Sequence, residues 1–344
     1  MLQAAESLNT RVGTRNARAT TRQSLVALVF VLTLPSVARP QEVSSSELRQ
    51  VDPYKISVSV DSVVLHATVE SHKGAPVSGL GKDNFQVYED GALQQIDFYS
   101  HEDIPVTVGL VLDNSGSMGP KRDEVIAAAL AFARSSNPQD QMFVVNFNEH
   151  ISFGLPADTL FTDQPGQLQV ALSRFKTNGE TALYDALAAA IEHLKKGNRD
   201  KKVLIVVSDG GDNASKYKLS QILGMAGQSD AIIYTIGIYT EEDEDKNPNA
   251  LRQLSKATGG EAFFPQTIPD VVPICKRIAH DIREQYTLAY APMNRKQDGA
   301  YRVIQVKATA SGHGRLSVRT RTGYYAPSKP QPIAPLAGSQ SNRP

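Results

Sequence analysis

The feature that most constrains the fold is an apolar run, residues 106–112, that passes directly into a short polar loop, residues 113–117. The run is rich in β-branched residues and lacks polar alternation, which is typical of a strand buried on both faces. A helical pattern follows over residues 120–136. Strand, loop and helix in this order place the loop at the carboxyl edge of a parallel sheet, where open α/β sheets bind ligands. Candidate ligands of a hard divalent cation in this loop are Asp113, Ser115 and Ser117.

Strand and helix patterns alternate over the whole of residues 105–284, which indicates parallel βαβ units. The predicted core strands cover residues 106–112, 141–147, 202–208 and 231–238, with shorter strands near Ile151 and Ala262. The predicted helices cover residues 120–136, 181–196, 218–229, 249–258 and 270–285. The predicted fold class is therefore α/β, with a doubly wound, mostly parallel, Rossmann-like sheet.

Strand patterns flank this domain on both sides. Residues 54–104 contain β-rich runs at 56–60, 63–69, 84–88 and 94–99, with an Asp90-Gly91 hairpin signal between the last two, and residues 285–325 return to alternating strand patterns. Neither part has enough inward faces to be stable alone. We therefore expect the two segments to pair into a small β-sandwich, with the α/β domain inserted between them.

The two ends of the chain have a different composition. Residues 1–38 combine a basic leader, an apolar core at 25–34 and small residues up to Ala38, which predicts a signal peptide. The core has about ten residues, whereas a membrane span needs about twenty. We predict export to a periplasmic, secreted or cell-surface location in a bacterium, with an uncleaved N-terminal anchor as the alternative. Residues 39–53 are predicted to be a linker, and residues 326–344, rich in Pro, Ser and Gln, a disordered tail.

Charge and cysteine content exclude several classes of protein. Lys plus Arg and Asp plus Glu both number 36, so no nucleic-acid partner is indicated. Cys275 is the only cysteine, which rules out an intramolecular disulfide, and its apolar neighbours predict a buried side chain. The seven histidines lack metal-ligand spacing, so no zinc site is predicted.

Two further loops carry oxygen donors at corresponding positions. Thr181 begins an Ala-rich helix, and Asp209 follows the predicted strand at 202–208. The carboxyl ends of parallel strands meet at one sheet edge, so these loops bring Thr181 and Asp209 towards Asp113 and the two serines. Each residue also has an alternative role, because Asp, Ser and Thr commonly cap helices or stabilise Gly-flanked turns.

The three motifs, in this order and spacing, resemble the von Willebrand factor type A (VWFA) domain with a metal-ion-dependent adhesion site (MIDAS). The resemblance covers residues 105–284. It implies that Ser115 and Ser117 bind Mg²⁺ directly, with Mn²⁺ or Ca²⁺ as alternative ions. It also implies that Asp113, Thr181 and Asp209 contribute directly or through water.

The wider architecture, with residues 87–91 upstream and 323–325 downstream, is similar to VWFA-related proteins frequent in Acidobacteria. In the VWFA family the last helix, here residues 270–285, shifts along its axis as the metal site changes state. Because this helix leads straight into the strand at Tyr286, the resemblance suggests that ligand binding is coupled to domain orientation.

The predicted ligand set favours binding over catalysis. Neutral hydroxyls donate less charge than carboxylates, so the ion stays electron-poor and accepts a carboxylate from a partner. We therefore expect a non-enzymatic module that captures a protein or surface ligand presenting an acidic side chain. A structural envelope component with an incidental metal is one alternative. A metal-dependent hydrolase is the other, although no nucleophile elbow or phosphate loop is found in the sequence.

The acidic stretch at residues 241–245 resembles a calcium loop only in composition. An EF-hand needs Gly at its sixth and Glu at its twelfth position, where this chain has Lys246 and Arg252. We expect a solvated acidic loop that lies close to the metal-binding edge.

Overall fold

The structure of the protein, a computed structural model, describes residues 62–239 and 243–328. The predicted signal peptide, the predicted linker and a predicted strand at 56–60 lie outside the described residues. Glu241, Glu242 and most of the predicted tail lie outside them as well.

Strands and helices alternate through the middle of the chain and strands occupy both ends. The strands are β1 (Val63–Ser71), β2 (Phe85–Glu89), β3 (Ala92–Gln94), β4 (Phe98–Ser100), β5 (Val106–Asp113), β6 (Gln141–Phe147), β7 (Ile151–Phe153), β8 (Lys201–Ser208), β9 (Ala231–Gly237), β10 (Ala262–Phe263), β11 (Tyr286–Tyr290), β12 (Tyr301–Ala308), β13 (Leu316–Arg319) and β14 (Gly323–Tyr325). The α-helices are α1 (Arg122–Ser135), α2 (Pro165–Ser173), α3 (Leu183–Leu194), α4 (Leu219–Gln228), α5 (Pro248–Thr258) and α6 (Val271–Arg283).

A six-stranded sheet in the order β10-β9-β8-β5-β6-β7 forms the centre of the α/β region. Every strand pair in it is parallel except β6 with β7, which is antiparallel. All eight residues of the central strand β5 are buried, as its continuous apolar sequence requires. The prediction of an α/β fold with a mostly parallel central sheet is confirmed.

Local sequence explains where the helices begin and end. In α5 the Asn247 side chain accepts a hydrogen bond from the Ala250 N–H at 3.1 Å, and Pro248 occupies the first turn. Gly259 closes the same helix with a left-handed φ of 84°. These are the residue types that favour helix starts and stops.

The remaining strands form two four-stranded antiparallel sheets, in the orders β13-β1-β11-β4 and β14-β12-β2-β3. Each sheet therefore combines strands from before and after the α/β region. Apolar side chains of both sheets, including Leu65, Val87 and Tyr286, share one buried cluster. The predicted hairpin is confirmed: Asp90 and Gly91 have φ angles of 48° and 84° and join β2 to β3.

Some predicted elements were wrong. The run at 94–99 was predicted as one strand, but β3 ends at Gln94 and β4 begins at Phe98 in the other sheet. Alternation alone cannot show which neighbour a strand pairs with. Helix α2 was not predicted, because only three of its nine residues are buried. Contacts also extend past the predicted boundary at 325, since Ala326 is buried and Ser328 bridges to Asp298.

A group of charged side chains joins α6 to the flanking sheets. We call it the Arg319 cluster; its members are Glu70, Glu261, Arg277, Asp281 and Arg319. Arg319 lies 3.2–3.4 Å from carboxylate oxygens of Glu70, Glu261 and Asp281.

Among the helices of residues 62–239 and 243–328, none combines the length and hydropathy of a bilayer-spanning segment.

Candidate metal centre

Two serine hydroxyls and a carboxylate meet at the carboxyl edge of the central sheet. The Ser115 Oγ and Ser117 Oγ atoms are 3.3 Å apart, and Ser117 Oγ donates to Asp209 Oδ2 at 2.6 Å. Ser115 and Asp209 are almost fully buried. The structure therefore brings together three of the residues singled out in the sequence, although Asp209 lies 92 residues from Ser117.

Asp113 lies at the end of β5, beneath this group. Its Oδ1 accepts from the Ser115 N–H at 2.8 Å, and its Oδ2 accepts from the Ser208 hydroxyl at 2.6 Å. Burial raises the pKa of Asp113 to about 6, while hydrogen bonds from Ser115 and Ser208 act in the opposite direction. Among the described residues, no Lys or Arg is bonded to Asp113 or Asp209. A bound cation would favour the ionised carboxylate.

Thr181 is held beside the same edge by backbone hydrogen bonds. Its N–H donates to Asn213 Oδ1 at 2.8 Å, and its carbonyl accepts from the Asn213 N–H at 3.0 Å. The preceding residues are tied to the serine loop, because the Gly116 N–H donates to the Gly179 carbonyl at 3.1 Å. All three predicted loops are thus linked to one another.

The helix-capping alternative does not hold for the Ser115 and Thr181 side chains. Ser115 precedes a short 3₁₀ turn, Gly116–Lys121, which contains Ser117 and leads into α1, and the Ser115 side chain makes no capping hydrogen bond. Helix α3 begins at Leu183, with Ala182 rather than Thr181 at its N-cap. These hydroxyls are therefore not used as N-caps.

The turn alternative is correct for only one oxygen of Asp209. Its Oδ1 accepts from the Gly211 N–H at 3.0 Å, whereas its Oδ2 faces Ser117. The carboxylate thus stabilises its own turn and also reaches the serine loop.

The donor set fits a small hard cation. A hydroxyl has one proton and two lone pairs, so Ser117, by donating its proton to Asp209, keeps both lone pairs for an ion. Adjacent ligands of octahedral Mg²⁺ at about 2.05 Å lie about 2.9 Å apart. The 3.3 Å between the Ser115 and Ser117 hydroxyl oxygens is close to that spacing.

Several supporting residues were missed by sequence reasoning. Ser208 positions Asp113, and its Oγ also accepts from the Gly210 N–H at 3.0 Å. Its place just before Asp209, at the end of a buried strand, was the available signal. Asn114 is buried and links its loop to β6, since its Nδ2 donates to Asn146 Oδ1 at 3.0 Å.

Gly179 has a φ of +76°, and a Cβ there would lie 1.8 Å from the Glu149 carboxylate. The positive φ favours glycine here, and the missing Cβ leaves room for the Glu149 carboxylate. The close approach lets Glu149 accept from the Glu180 N–H at 3.0 Å, which orders the loop before Thr181.

The acidic stretch is only partly solvated. Asp243 is half-buried and lies 3.1 Å from Nζ of Lys121, a buried residue that also donates to the Ile238 carbonyl at 3.0 Å. Asp245 is exposed and accepts from Asn213 Nδ2 at 3.0 Å. The loop does flank the metal-binding edge, but the expectation of a wholly solvated loop was wrong for Asp243.

With this geometry in place, comparison with known proteins shows what the α/β region is similar to. Residues 108–211 match the family model of the von Willebrand factor type A domain. The matched segment runs from β5 through the loop that contains Asp209, so it spans all three metal-centre loops. The VWFA-like fold predicted from the sequence is confirmed for this region.

A curated relative, an uncharacterized protein of Synechocystis sp., is 26% identical over 148 residues, which are 41% of this chain. The match covers about a third, 34%, of that relative's length.

Among solved structures, a von Willebrand factor type A protein from Catenulispora acidiphila aligns over 78% of this chain and 74% of its own, at 14% identity and a TM-score of 0.47. The vWF domain of the type V pilus tip protein Mfa5 from Porphyromonas gingivalis aligns over 52% and 95%, at 14% identity and a TM-score of 0.42. The pilus adhesin SpaC from Lactobacillus rhamnosus GG aligns over 73% and 49%, at 12% identity and a TM-score of 0.43. At these identities the likeness concerns the fold alone.

Proposed function

We propose that this protein is an exported binding module whose VWFA region holds Mg²⁺ in a MIDAS and captures a partner carboxylate. The observation that carries the proposal is the meeting of Ser115, Ser117 and Asp209 within hydrogen-bond distance, on loops far apart in sequence. Mn²⁺ and Ca²⁺ are the alternative ions for the same oxygen set.

The arrangement of the carboxylates supports binding rather than catalysis. Both Asp113 oxygens already accept hydrogen bonds from Ser115 and Ser208, which favours a contribution through water. The ion would then be held mainly by neutral hydroxyls and would attract an acidic side chain from another molecule. VWFA domains are typically interaction modules, and we propose the same non-enzymatic role here.

The flanking sheets fit a supporting role. We propose that the two four-stranded sheets pack as a small β-sandwich that carries the VWFA region, and that residues 1–38 direct export to the cell surface or periplasm. The resemblance of this wider architecture to acidobacterial proteins stays a prediction. The link between α6 and β11 is short, so coupling between the metal centre and the sheets stays part of this proposal.

Metal binding can be measured directly with Mn²⁺ and electron paramagnetic resonance on the purified chain. We expect one bound ion, lost in Asp209→Ala because this residue supplies a ligand and orients Ser117. Asp212→Ala is the matched control, since Asp212 lies in the same loop but bonds to Ser215 and Tyr184 instead. Equal Mn²⁺ binding by both variants would contradict the proposed centre.

Partner capture needs a second experiment. Crosslinking pull-down from a bacterial envelope extract, in Mg²⁺ and in EDTA, should recover a partner only with the metal present. Ser117→Ala should lose the same partner, while its circular dichroism spectrum stays unchanged. Recovery of the partner under all these conditions would show that capture does not use the metal.

A further inference from the structure

A second binding feature lies away from the metal loops, beside the edge strand β7. It is a cleft of about 590 Å³ between β7, the segment after it, and helix α3. Its walls include Phe143, Phe153, Leu155, Leu160 and His193, and we call it the Phe153 groove. Its volume falls in the range of about 300–1,000 Å³ that is usual for ligand sites. No residue of the three metal-binding loops lines it.

The floor of the groove is an ordered aromatic cluster. The His193 ring lies 4.5 Å from the Phe143 ring and 4.6 Å from the Phe153 ring, between centroids. Its Nε2 donates to the Leu160 carbonyl at 3.0 Å, which ties α3 to the opposite wall. Burial lowers the pKa of His193, which disfavours a positive charge on the floor of the groove.

The upper walls expose apolar surface to solvent. Phe153 is 40% exposed and Leu160 is 46% exposed, although both side chains are large and apolar. Exposed apolar residues grouped around a cleft are typical of interaction sites, and aromatic side chains are enriched there. One side of the groove is therefore open, which suits a segment of a partner protein better than a fully enclosed small molecule.

The rim of the groove is positively charged. Arg174 and Lys196 line it, and neither forms an ion pair with any described residue. The neighbouring Lys195 differs, because it pairs with Glu192 at 2.6 Å and does not line the groove. Two cations beside an apolar cleft are complementary to a ligand that joins apolar and acidic groups.

We propose that the Phe153 groove binds an extended segment of a partner protein that presents an aromatic or branched aliphatic side chain next to acidic residues. The apolar side chain enters between Phe153, Leu160 and His193. The acidic residues lie against Arg174 and Lys196. This binding requires no metal ion and is independent of the MIDAS proposal.

The test uses a fluorescein-labelled peptide of sequence Gly-Glu-Phe-Glu-Leu-Glu-Gly and fluorescence anisotropy on the full chain, in EDTA. We expect saturable binding, weakened at least about tenfold by Phe153→Ser and by Lys196→Glu. The matched controls are Val170→Ser, which changes an exposed apolar residue on α2, and Lys195→Glu, which makes the same charge change one position away. Both controls should bind within about twofold of the unchanged protein.

Three outcomes would overturn the proposal. The first is absence of saturable binding by the folded protein. The second is equal weakening by the controls, which would show a non-specific charge or apolar effect. The third is concentration-dependent dimerisation abolished by Phe153→Ser, measured by sedimentation, which would assign the groove to a second copy of this chain. A peptide with Lys in place of each Glu should bind at least about tenfold more weakly if the cationic rim is used.

Discussion

The metal centre and the Arg319 cluster both gather carboxylates, but they neutralise them in different ways. In the metal centre, Asp113 and Asp209 are bonded to hydroxyls and backbone N–H groups. In the Arg319 cluster, the carboxylate oxygens of Glu70, Glu261 and Asp281 lie within 4.8 Å of one another, and two arginines pair with them.

The difference shows why carboxylate proximity alone does not indicate a metal site. The Arg319 cluster has the geometry of a metal site by distance, yet its own guanidinium groups supply the positive charge. The metal centre has fewer carboxylates and only neutral donors beside them. We propose that a bound metal ion supplies the positive charge there, and the following predictions test this contrast.

The largest loss of stability is expected from removing Arg319, the cation of the Arg319 cluster. Arg319→Leu leaves the fully buried side chain of Asp281 without its arginine, so we expect a loss of about 3 kcal/mol in the free energy of unfolding. Urea denaturation measures it. Arg315→Leu, in the neighbouring exposed turn, should change stability by less than about 0.5 kcal/mol. Equal effects of the two variants would show that the cluster is not an electrostatic unit.

In the metal centre, removing a carboxylate should weaken Mn²⁺ binding without lowering stability. Asp113→Asn should weaken Mn²⁺ binding about 10- to 100-fold, up to about 2.7 kcal/mol, because a carboxylate of the site is lost. In EDTA the same variant should be as stable as the unchanged protein or more so, since burial already disfavours the ionised form. Asp140→Asn is the control, because burial also raises the pKa of Asp140 to about 6, far from the metal loops. Loss of Mn²⁺ binding in Asp140→Asn would show that the effect is not specific to the metal centre.

Lys201 is a buried cation that forms no salt bridge with any described carboxylate, although Asp103 and Asp140 act on it from a distance. Lys201 is fully buried, its Nζ donates to the Ile282 carbonyl at 2.5 Å, and burial lowers its pKa from 10.5 to about 8. Between those values the unfolded chain binds more protons, so the free energy of unfolding should rise with pH. Lys201→Met should stabilise the protein at pH 7 by about 1–2 kcal/mol and flatten this rise. Urea denaturation at pH 7, 8.5 and 10 checks both effects, and a destabilised methionine variant would contradict them.

The last prediction concerns a labelling rate and no change in stability, and it probes α6, which carries Arg277 and Asp281 of the Arg319 cluster. Burial raises the pKa of the Cys275 thiol to about 12, so its reaction with a disulfide reagent at pH 8 should be at least about 100-fold slower than that of an exposed thiol. Ser173→Cys supplies such an exposed thiol in the same chain. Rapid labelling of Cys275 in the native protein would show that α6 opens readily. A Cys275 labelling rate that changes with Mg²⁺ would show that metal binding is coupled to α6.

Much of the metal centre could be predicted because its donors lie in short motifs at strand ends. The loop at 113–117 and the positions of Thr181 and Asp209 follow from parallel strands whose carboxyl ends share an edge. Ser208 was missed because its place at the end of a buried strand does not show which side chain it bonds to. Its role depends on the register that places its Oγ beside Asp113, 95 residues earlier.

The sequence by itself determined the alternation of strands and helices, the all-buried β5, the hairpin at Asp90 and the residue types in the metal loops. These are local properties, since periodicity and turn chemistry are carried by neighbouring residues. The tertiary structure alone decided how Arg319 neutralises Asp281, and where Phe153 and His193 enclose a groove. Such contacts depend on strand register and helix packing, which bring together side chains that no local pattern relates.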